Sequence, residues 1–183
     1  MKLASPHHLP RRSSQAGMTL IETVIALAML FVAAIGIMSI AVVATLTTEN
    51  QGHLAARTAE YAQDKMEQLL SLAYADAQTD TTLFPAGATG GTGLILGGSS
   101  DPSTPVTGYK DYLDVTGTPL ALGGGGAAPA NWYYIRVWQI STPAGTNLIK
   151  QITVSSKVRY SVGGAGAGAL AQATLSSLKT SPY

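Results

Sequence analysis

The chain of 183 residues contains no cysteine. An exported protein without cysteine has no disulfide framework, and thiolate zinc sites are excluded as well. Charged residues make up only 11% of the chain, against about 25% in average soluble proteins. The formal net charge is +1. Because no basic excess is present to attract phosphates, the composition argues against nucleic acid as a partner.

Histidine is also scarce, which limits the catalytic chemistry that the chain can support. His7 and His8 lie near the N-terminus, and the third histidine is His53. Three histidines are too few to make a Ser-His-Asp arrangement or a histidine metal site a probable design. We therefore expect a protein that is not an enzyme and that carries no cofactor.

The most informative feature that is present is an uncharged apolar run, Thr23–Thr48, with the carboxylate of Glu22 immediately before it. About 20 apolar residues suffice to span a bilayer. A charge at mid-bilayer costs roughly 2.5–3.5 kcal/mol on insertion scales, so an ionisable group beside such a run indicates a function and a partner. Three basic residues precede the run, which predicts a cytoplasmic N-terminus and an exported C-terminal part.

The segment Gly17–Glu22, placed between a short basic leader and the apolar run, resembles the prepilin leader of type IV pilins and type II secretion pseudopilins. The resemblance implies that a prepilin peptidase cleaves between Gly17 and Met18 and that the new amino terminus at Met18 is N-methylated. It also implies an assembly role for Glu22, with a freed amino terminus as the obvious partner of its carboxylate.

Two ordinary interpretations of this segment compete with that resemblance. A secretory signal has an apolar region of about 7–15 residues followed by a small-residue cleavage site. Here the run is longer, and the small pair Ala16-Gly17 precedes it. A plain single-pass anchor fits the length but gives Glu22 no role.

The chain is predicted to have an α+β fold in five segments. A long N-terminal helix, transmembrane in its first half, packs on a small C-terminal antiparallel sheet, which is the pilin fold that the resemblance implies. The segments are a leader at 1–17, a transmembrane and assembly helix at 18–48, the amphipathic half of that helix at 49–78, a Gly/Ser/Thr-rich loop region at 79–131 and the sheet at 132–183.

The helix is expected to continue past the apolar run because no proline lies between Met18 and Phe84. Gly36 and Ser39 are its soft points, suited either to a bend or to close helix packing. Beyond Thr47 the pattern becomes amphipathic. The predicted core-facing residues are Tyr61, Met66, Leu69, Leu70 and Leu72, and charged residues such as Asp64 are predicted mainly on the other faces.

The predicted sheet begins with alternating segments at Trp132–Ser141 and Leu148–Tyr160, followed by a last strand at Ala171–Leu178. Ile152, Val154, Val158 and Tyr160 are expected on one face, and the aromatic side chains Tyr133, Tyr134 and Trp138 are expected in the core rather than against a ligand.

In the loop region, Leu94–Leu96 and Tyr112–Val115 are predicted as short strands, while Gly97-Gly98 and Gly123–Gly126 indicate turns or flexible loops.

Three aspartates, Asp101, Asp111 and Asp114, supply oxygens of the kind that calcium prefers. They lack the spacing of an EF-hand loop, so we predict no metal site. His53, alone on an amphipathic helix, is predicted to be solvated.

Three shorter segments resemble particular members of this family. Ala62–Leu69, and then Arg136–Ile140 and Lys150–Val154, are similar to segments of PilV-type minor pilins and of the minor pseudopilin GspI of type II secretion systems. The resemblance implies a minor type IV pilin that is incorporated into a pilus fibre or primes its assembly. Its implied partners are other pilin subunits, the prepilin peptidase, the inner-membrane assembly platform and the membrane itself.

The implied location is the bacterial inner membrane, with a periplasmic C-terminus, before assembly and the pilus fibre or cell surface afterwards. Two alternatives stay open at this point. One is a minor pseudopilin of a type II secretion system. The other is a membrane-anchored binding protein whose loops, from Phe84 to Pro129, contact a surface or DNA.

Overall fold

The computed structural model describes residues 19–82, 89–144, 146–160 and 170–181. Gly17 and Met18, the predicted cleavage site, lie outside the described residues, as does the rest of the predicted leader. The chain divides into two compact units, residues 1–44 and 45–183. The helix α1, Leu20–Ser71, contributes residues to both units.

The fold is α+β, as predicted, with one long helix and a small antiparallel sheet. The strands are β1 (Gly97–Gly98), β2 (Lys110–Leu113), β3 (Pro119–Leu120), β4 (Tyr134–Ser141), β5 (Ile149–Val158) and β6 (Gln172–Thr180). Their order is β3-β2-β4-β5-β6, and every pair of neighbours is antiparallel. The short strand β1 pairs with the end of β4, beyond the stretch that β2 covers.

The long hairpin β4–β5 forms where the sequence alternates between apolar and polar residues, and its register runs from Tyr134 opposite Val158 to Ser141 opposite Gln151. Ile152, Val154 and Val158 are buried as predicted, but Tyr160 is 53% exposed. Tyr160 lies two residues beyond the end of β5, so the alternation no longer fixes its direction.

The main core lies between the second half of α1 and one face of β4 and β5. Met66 and Leu69 are buried there, which confirms part of the predicted stripe, whereas Tyr61, Leu70 and Leu72 are only half-buried. The buried residues of this cluster are Ala62, Met66, Leu69, Leu94, Tyr109, Trp138, Ile140, Ile152 and Val154. Helix and sheet therefore each cover the apolar face of the other.

A substitution at Leu69 tests this core. Leu69 is fully buried, so Leu69→Ala in a soluble fragment of residues 45–183 should lower the free energy of unfolding by about 2–5 kcal/mol. Leu178 is 60% exposed, and the matched variant Leu178→Ala should change it by no more than about 0.5 kcal/mol. Equal melting temperatures for the two variants would show that the helix–sheet core is misplaced.

The second face of β4 is buried as well, which the sequence did not indicate. Ile135 and Val137 pack there with Tyr112 of β2, and they are covered by Leu120 of β3 and by Leu122 and Trp132 of the segment that follows it. The predicted Gly/Ser/Thr-rich loop region thus contains β1, β2 and β3 and contributes to three hydrophobic clusters.

Two details of that region differ from the prediction. Leu94–Leu96 is not a strand, although Leu94 is fully buried. Gly97-Gly98 is a strand rather than a turn. Gly98 has a φ of 82°, and a Cβ there would lie 2.1 Å from the carbonyl oxygen of Trp138. Only glycine lets this backbone come so close to β4.

The end of α1 is held by lysines that come from the sheet. The last turn of the helix has no basic residue of its own. The Lys179 ammonium of β6 donates to the carbonyl oxygen of Leu70 at 2.5 Å. From β5, Lys150 donates to the carbonyl oxygens of Tyr74 and Leu94, at 2.7 and 2.8 Å. These cations satisfy acceptors at and after the helix end, where a positive charge is favourable.

Candidate functional site

The first candidate site is the apolar part of α1. Its large hydrophobic side chains, from Leu20 to Val43, are each between 51% and 82% exposed. This helix is long and apolar enough to cross a membrane. Exposed apolar surface of this extent is stable only when lipid or other protein covers it.

Polar groups inside this part of α1 are satisfied within the helix. The Thr23 hydroxyl donates to the carbonyl oxygen of Leu20 at 2.8 Å, and the Ser39 hydroxyl donates to that of Ile35 at 2.9 Å. The helix is continuous at Gly36, and a Cβ there would meet nothing within 4 Å. The helix is therefore not unwound at Gly36, and the small residue leaves open surface for another helix.

Glu22 lies in the first turn of α1, and its side chain is exposed. Its backbone N–H donates to the carbonyl oxygen of Thr19 at 3.0 Å. A carboxylate is favourable at a helix N-terminus. In a lipid environment, however, its charge must be neutralised by a proton or by a nearby cation. The geometry leaves this carboxylate directed outward, at the start of a surface that contains no other charge up to Thr48.

The second candidate is a charge cluster formed by Asp64 and Lys65 of α1, Asp111 of β2 and Arg136 of β4, all of them buried except the half-exposed Asp64. Arg136 donates two parallel hydrogen bonds of 2.8 Å to the Asp111 carboxylate, from Nε to Oδ1 and from Nη2 to Oδ2. Lys65 Nζ lies 2.9 Å from Asp111 Oδ2, and Arg136 Nη1 donates to Asp64 Oδ2 at 3.0 Å. The cluster thus contains two positively charged and two negatively charged side chains, and its formal charges sum to zero.

The ammonium group of Lys65 has further partners despite complete burial of its side chain. It donates to Gln68 Oε1 at 2.7 Å and to the carbonyl oxygen of Thr81, and it stands 4.3 Å from the centre of the Trp138 ring. Buried charge is tolerated only when its hydrogen bonds are satisfied in this way. Lys65 consequently ties α1 to β2 and to the segment after the helix.

Burial alone would raise the pKa of the Asp111 carboxyl, but the charges of Lys65 and Arg136 outweigh it and hold the pKa below its usual value. For Lys65, burial is the largest influence and lowers the pKa of the amine, while the charge of Asp111 opposes that fall. A depressed carboxyl pKa stabilises the fold above the unfolded pKa, about 3.9, and this contribution is lost as the pH falls through the folded value.

Sequence reasoning did not find this cluster, although two signals were present. Lys65 falls on the core-facing stripe, four residues after Tyr61 and four before Leu69. Arg136 alternates with the buried aromatics Tyr134 and Trp138 on one strand. A single cation on an apolar face indicates that a carboxylate from elsewhere lies opposite it.

The three aspartates considered for calcium do different things in the structure. Asp111 is occupied by the two buried cations. Asp101, which is exposed, and Asp114, which is half-buried, are turn residues whose carboxylates accept hydrogen bonds from nearby backbone N–H groups. Within the described ranges no three acidic or histidine side chains are placed to share a metal ion.

The remaining predicted residues are placed as follows. His53 is exposed, and its Nε2 lies 4.0 Å from the Glu49 carboxylate. Tyr134 and Trp138 are buried core residues, and Tyr133 is half-buried against Tyr134, with ring centres 5.0 Å apart. These aromatics are thus core residues, as predicted, apart from the exposed edge of Tyr133.

An open groove of about 300 Å³ lies where α1 meets the start of β4. It is lined by Asn50, His53, Leu54, Arg57, Val115, Tyr133 and Tyr134. One side of the groove is helical and polar, and the other is formed by tyrosine rings.

Comparisons with known proteins identify no family. No protein-family model, no curated protein and no solved structure matches this chain. Function is therefore argued from the residues of the chain and from the geometry described above.

Proposed function

We propose that this chain is a minor, PilV-like type IV pilin, which is incorporated into a pilus fibre or primes its assembly. One observation carries the proposal: the apolar part of α1 is exposed along its whole length and has a single carboxylate, Glu22, in its first turn. In the sequence this carboxylate comes five residues after Gly17, the proposed cleavage site.

Such a helix needs two successive environments. Before assembly the bilayer covers its side chains, since about 20 apolar residues span the hydrocarbon. After extraction from the membrane the same side chains must be covered by helices of other subunits, because exposure of this much apolar surface to water is unfavourable. A filament with a helical core satisfies this requirement, and the small surface at Gly36 suits close contact between helices.

The second unit supports the narrower assignment to a minor pilin. The segment that resembles PilV-type pilins and GspI, Ala62–Leu69, contains Asp64 and Lys65 of the charge cluster as well as three core residues. The matching strand segment in β4 contains Arg136, the partner of both carboxylates. The residues behind the resemblance thus act together to fix the helix on the sheet.

Processing is tested by Gly17→Val. By the family resemblance, the peptidase needs a residue without a side chain before the cut, so this variant should accumulate in the inner membrane as the full-length precursor. Mass spectrometry of the N-terminus checks this result. Ser13→Val, a matched change within the leader, should still yield a chain that begins with N-methylated Met18.

Normal maturation of Gly17→Val would contradict the prepilin assignment. Recovery of the mature wild-type chain in sheared fibres would support a pilin, whereas confinement to a short periplasmic tip complex would support the pseudopilin alternative. A wild-type chain that is never cleaved would instead be a plain membrane anchor.

A further inference from the structure

The strand β6 forms one edge of the sheet. In the part of the chain that the structure describes, β6 pairs with β5 alone. The opposite edge is β3, which is two residues long and begins with Pro119. A short edge strand with a proline is protected against pairing with another chain. By contrast, β6 has nine residues, no proline and a single charge, at Lys179, so its edge lacks this protection.

The hydrogen bonds to β5 show which backbone groups of β6 lie at the free edge. The Val158 N–H donates to the carbonyl oxygen of Ala171 at 3.0 Å, and the Ser181 N–H donates to that of Leu148 at 2.8 Å. Both pairs continue the register of β5 and β6. Because hydrogen-bonded pairs alternate along an antiparallel ladder, the odd-numbered residues of β6 bond to β5. The residues that direct their N–H and C=O groups away from β5 are therefore Gln172, Thr174, Ser176, Leu178 and Thr180.

The side chains beside this edge define what can pair with it. On the face towards α1, Ala173 and Leu175 are half-buried at the rim of the main core. On the other face Thr174 is exposed, and the Ser176 hydroxyl accepts a hydrogen bond from Gln151 Nε2 at 3.0 Å. A row of backbone donors and acceptors is satisfied by the backbone of another extended strand. The strand that fits has apolar side chains on its α1 side and uncharged polar side chains on the other.

The edges of a second copy of this chain do not supply such a strand. If the apolar rims of two copies met, a β6–β6 pair would be antiparallel about a two-fold axis perpendicular to the sheet. That rotation reverses the half of α1 that lies on the sheet, whereas subunits that repeat by rotation and translation along one fibre all point the same way. The β3 edge is only two residues long and contains Pro119. The strand must therefore come from a subunit of different sequence.

We propose that β6 accepts an antiparallel strand from a different subunit of the same fibre, which extends the sheet by one strand. The inference rests on the proposed function, because it takes the chain to be one subunit among others. The antiparallel direction continues a sheet in which every pair is antiparallel. Backbone hydrogen bonds supply the affinity of such a contact, and alternate side chains supply its specificity. The contact determines which subunit stands beside this one.

Photo-cross-linking of the full chain in its native host tests this proposal. The photoreactive residue p-benzoylphenylalanine replaces Leu178, which is 60% exposed. Illumination should give a covalent adduct whose second member, identified by mass spectrometry, is a pilin subunit of different sequence. Ser176→Pro removes an N–H that β5 does not use, so the adduct yield should fall about fivefold or more, as loss of one backbone hydrogen bond predicts. Gln172→Pro, at the start of β6, should lower the yield for the same reason.

The matched control is Ser176→Ala, which keeps the backbone N–H and should keep the yield. Both proline variants should melt within about 4 °C of the wild type in detergent, because an edge strand tolerates a proline at a position whose N–H faces outward. An unchanged yield in both proline variants, or an equal fall in Ser176→Ala, would overturn pairing through the backbone.

The identity of the adduct decides the partner. An adduct that contains only two copies of this chain would overturn the different subunit in favour of self-association, and absence of any adduct would overturn the strand contact itself. Cleavage after Gly17 and recovery in sheared fibres are scored in the same cells. Failure of this inference is therefore distinguishable from failure of the proposed function.

Discussion

Replacement of Asp111 by asparagine is expected to lower the free energy of unfolding of residues 45–183 by about 3–5 kcal/mol. The carboxylate is 3% exposed and neutralises Lys65 and Arg136, which are themselves almost completely buried. Asparagine keeps the shape and one acceptor oxygen, but it leaves the two buried cations with only the half-exposed carboxylate of Asp64 as a counter-charge. Urea unfolding of the fragment measures the loss.

Lys65→Met is the informative comparison. It removes one cation, but the bidentate hydrogen bonds between Arg136 and Asp111 remain, so the buried carboxylate keeps an opposite charge. Its loss should therefore be clearly smaller than that of Asp111→Asn. A loss in Lys65→Met that equals or exceeds the loss in Asp111→Asn would show that charge balance does not hold the cluster together.

The pH dependence of the Asp111→Asn variant gives a second check. Without the carboxylate, burial is still the largest influence on Lys65 and lowers the pKa of its amine further below the unfolded value. The variant should therefore recover stability as the pH rises towards the unfolded lysine pKa, about 10.4, because the buried amine gives up its proton. Arg136 cannot lose its charge in this range, so recovery should be partial.

Glu22→Ala is expected to reduce the amount of the subunit in sheared fibres about tenfold or more, with export and cleavage unchanged. Removal of the carboxylate makes membrane residence easier. It also removes the attraction to the amino terminus of a neighbouring Met18, which we propose sets the axial register between subunits. A tenfold loss corresponds to about 1.4 kcal/mol, a modest value for a charge pair that is sequestered from water.

Two further variants test whether Glu22 acts by setting the axial register between subunits or only by adding negative charge to the helix. Glu22→Asp keeps the charge but shortens its reach, so incorporation should be partial. Glu49→Ala removes the next acidic residue of the same helix, after the uncharged run, and should be incorporated normally. The ratio of each variant in fibres to that in the membrane fraction is the measurement, and a wild-type ratio for Glu22→Ala would eliminate the register-setting role.

The elements that the sequence predicted well are those in which the spacing of apolar residues repeats over many residues. The long apolar run continuing into an amphipathic stripe predicted α1, and the alternation in Trp132–Ser141 predicted β4 to within two residues. Burial of Met66 and Leu69 followed from the same helical spacing. Local patterns of this kind do not depend on knowledge of the partner surface.

The elements that were missed depend on contacts between distant parts of the chain. Asp111 and Arg136 are 25 residues apart, and neither has a neighbour in sequence that reveals the other. Gly97-Gly98 became a strand because β4 offers an unpaired edge beyond the end of β2, a circumstance that no property of two glycines can indicate. Tertiary context decides such short segments.

The lysine of β6 that holds the end of α1 has a consequence for the order of folding. Lys179 contacts the carbonyl oxygen of Leu70 across 109 residues of chain. A contact of such sequence separation forms late, since the loop between its partners must close first. The end of α1 therefore stays incompletely fastened until β6 has paired with β5. Until that pairing is complete, the last turn of the helix is frayed and open to proteolysis.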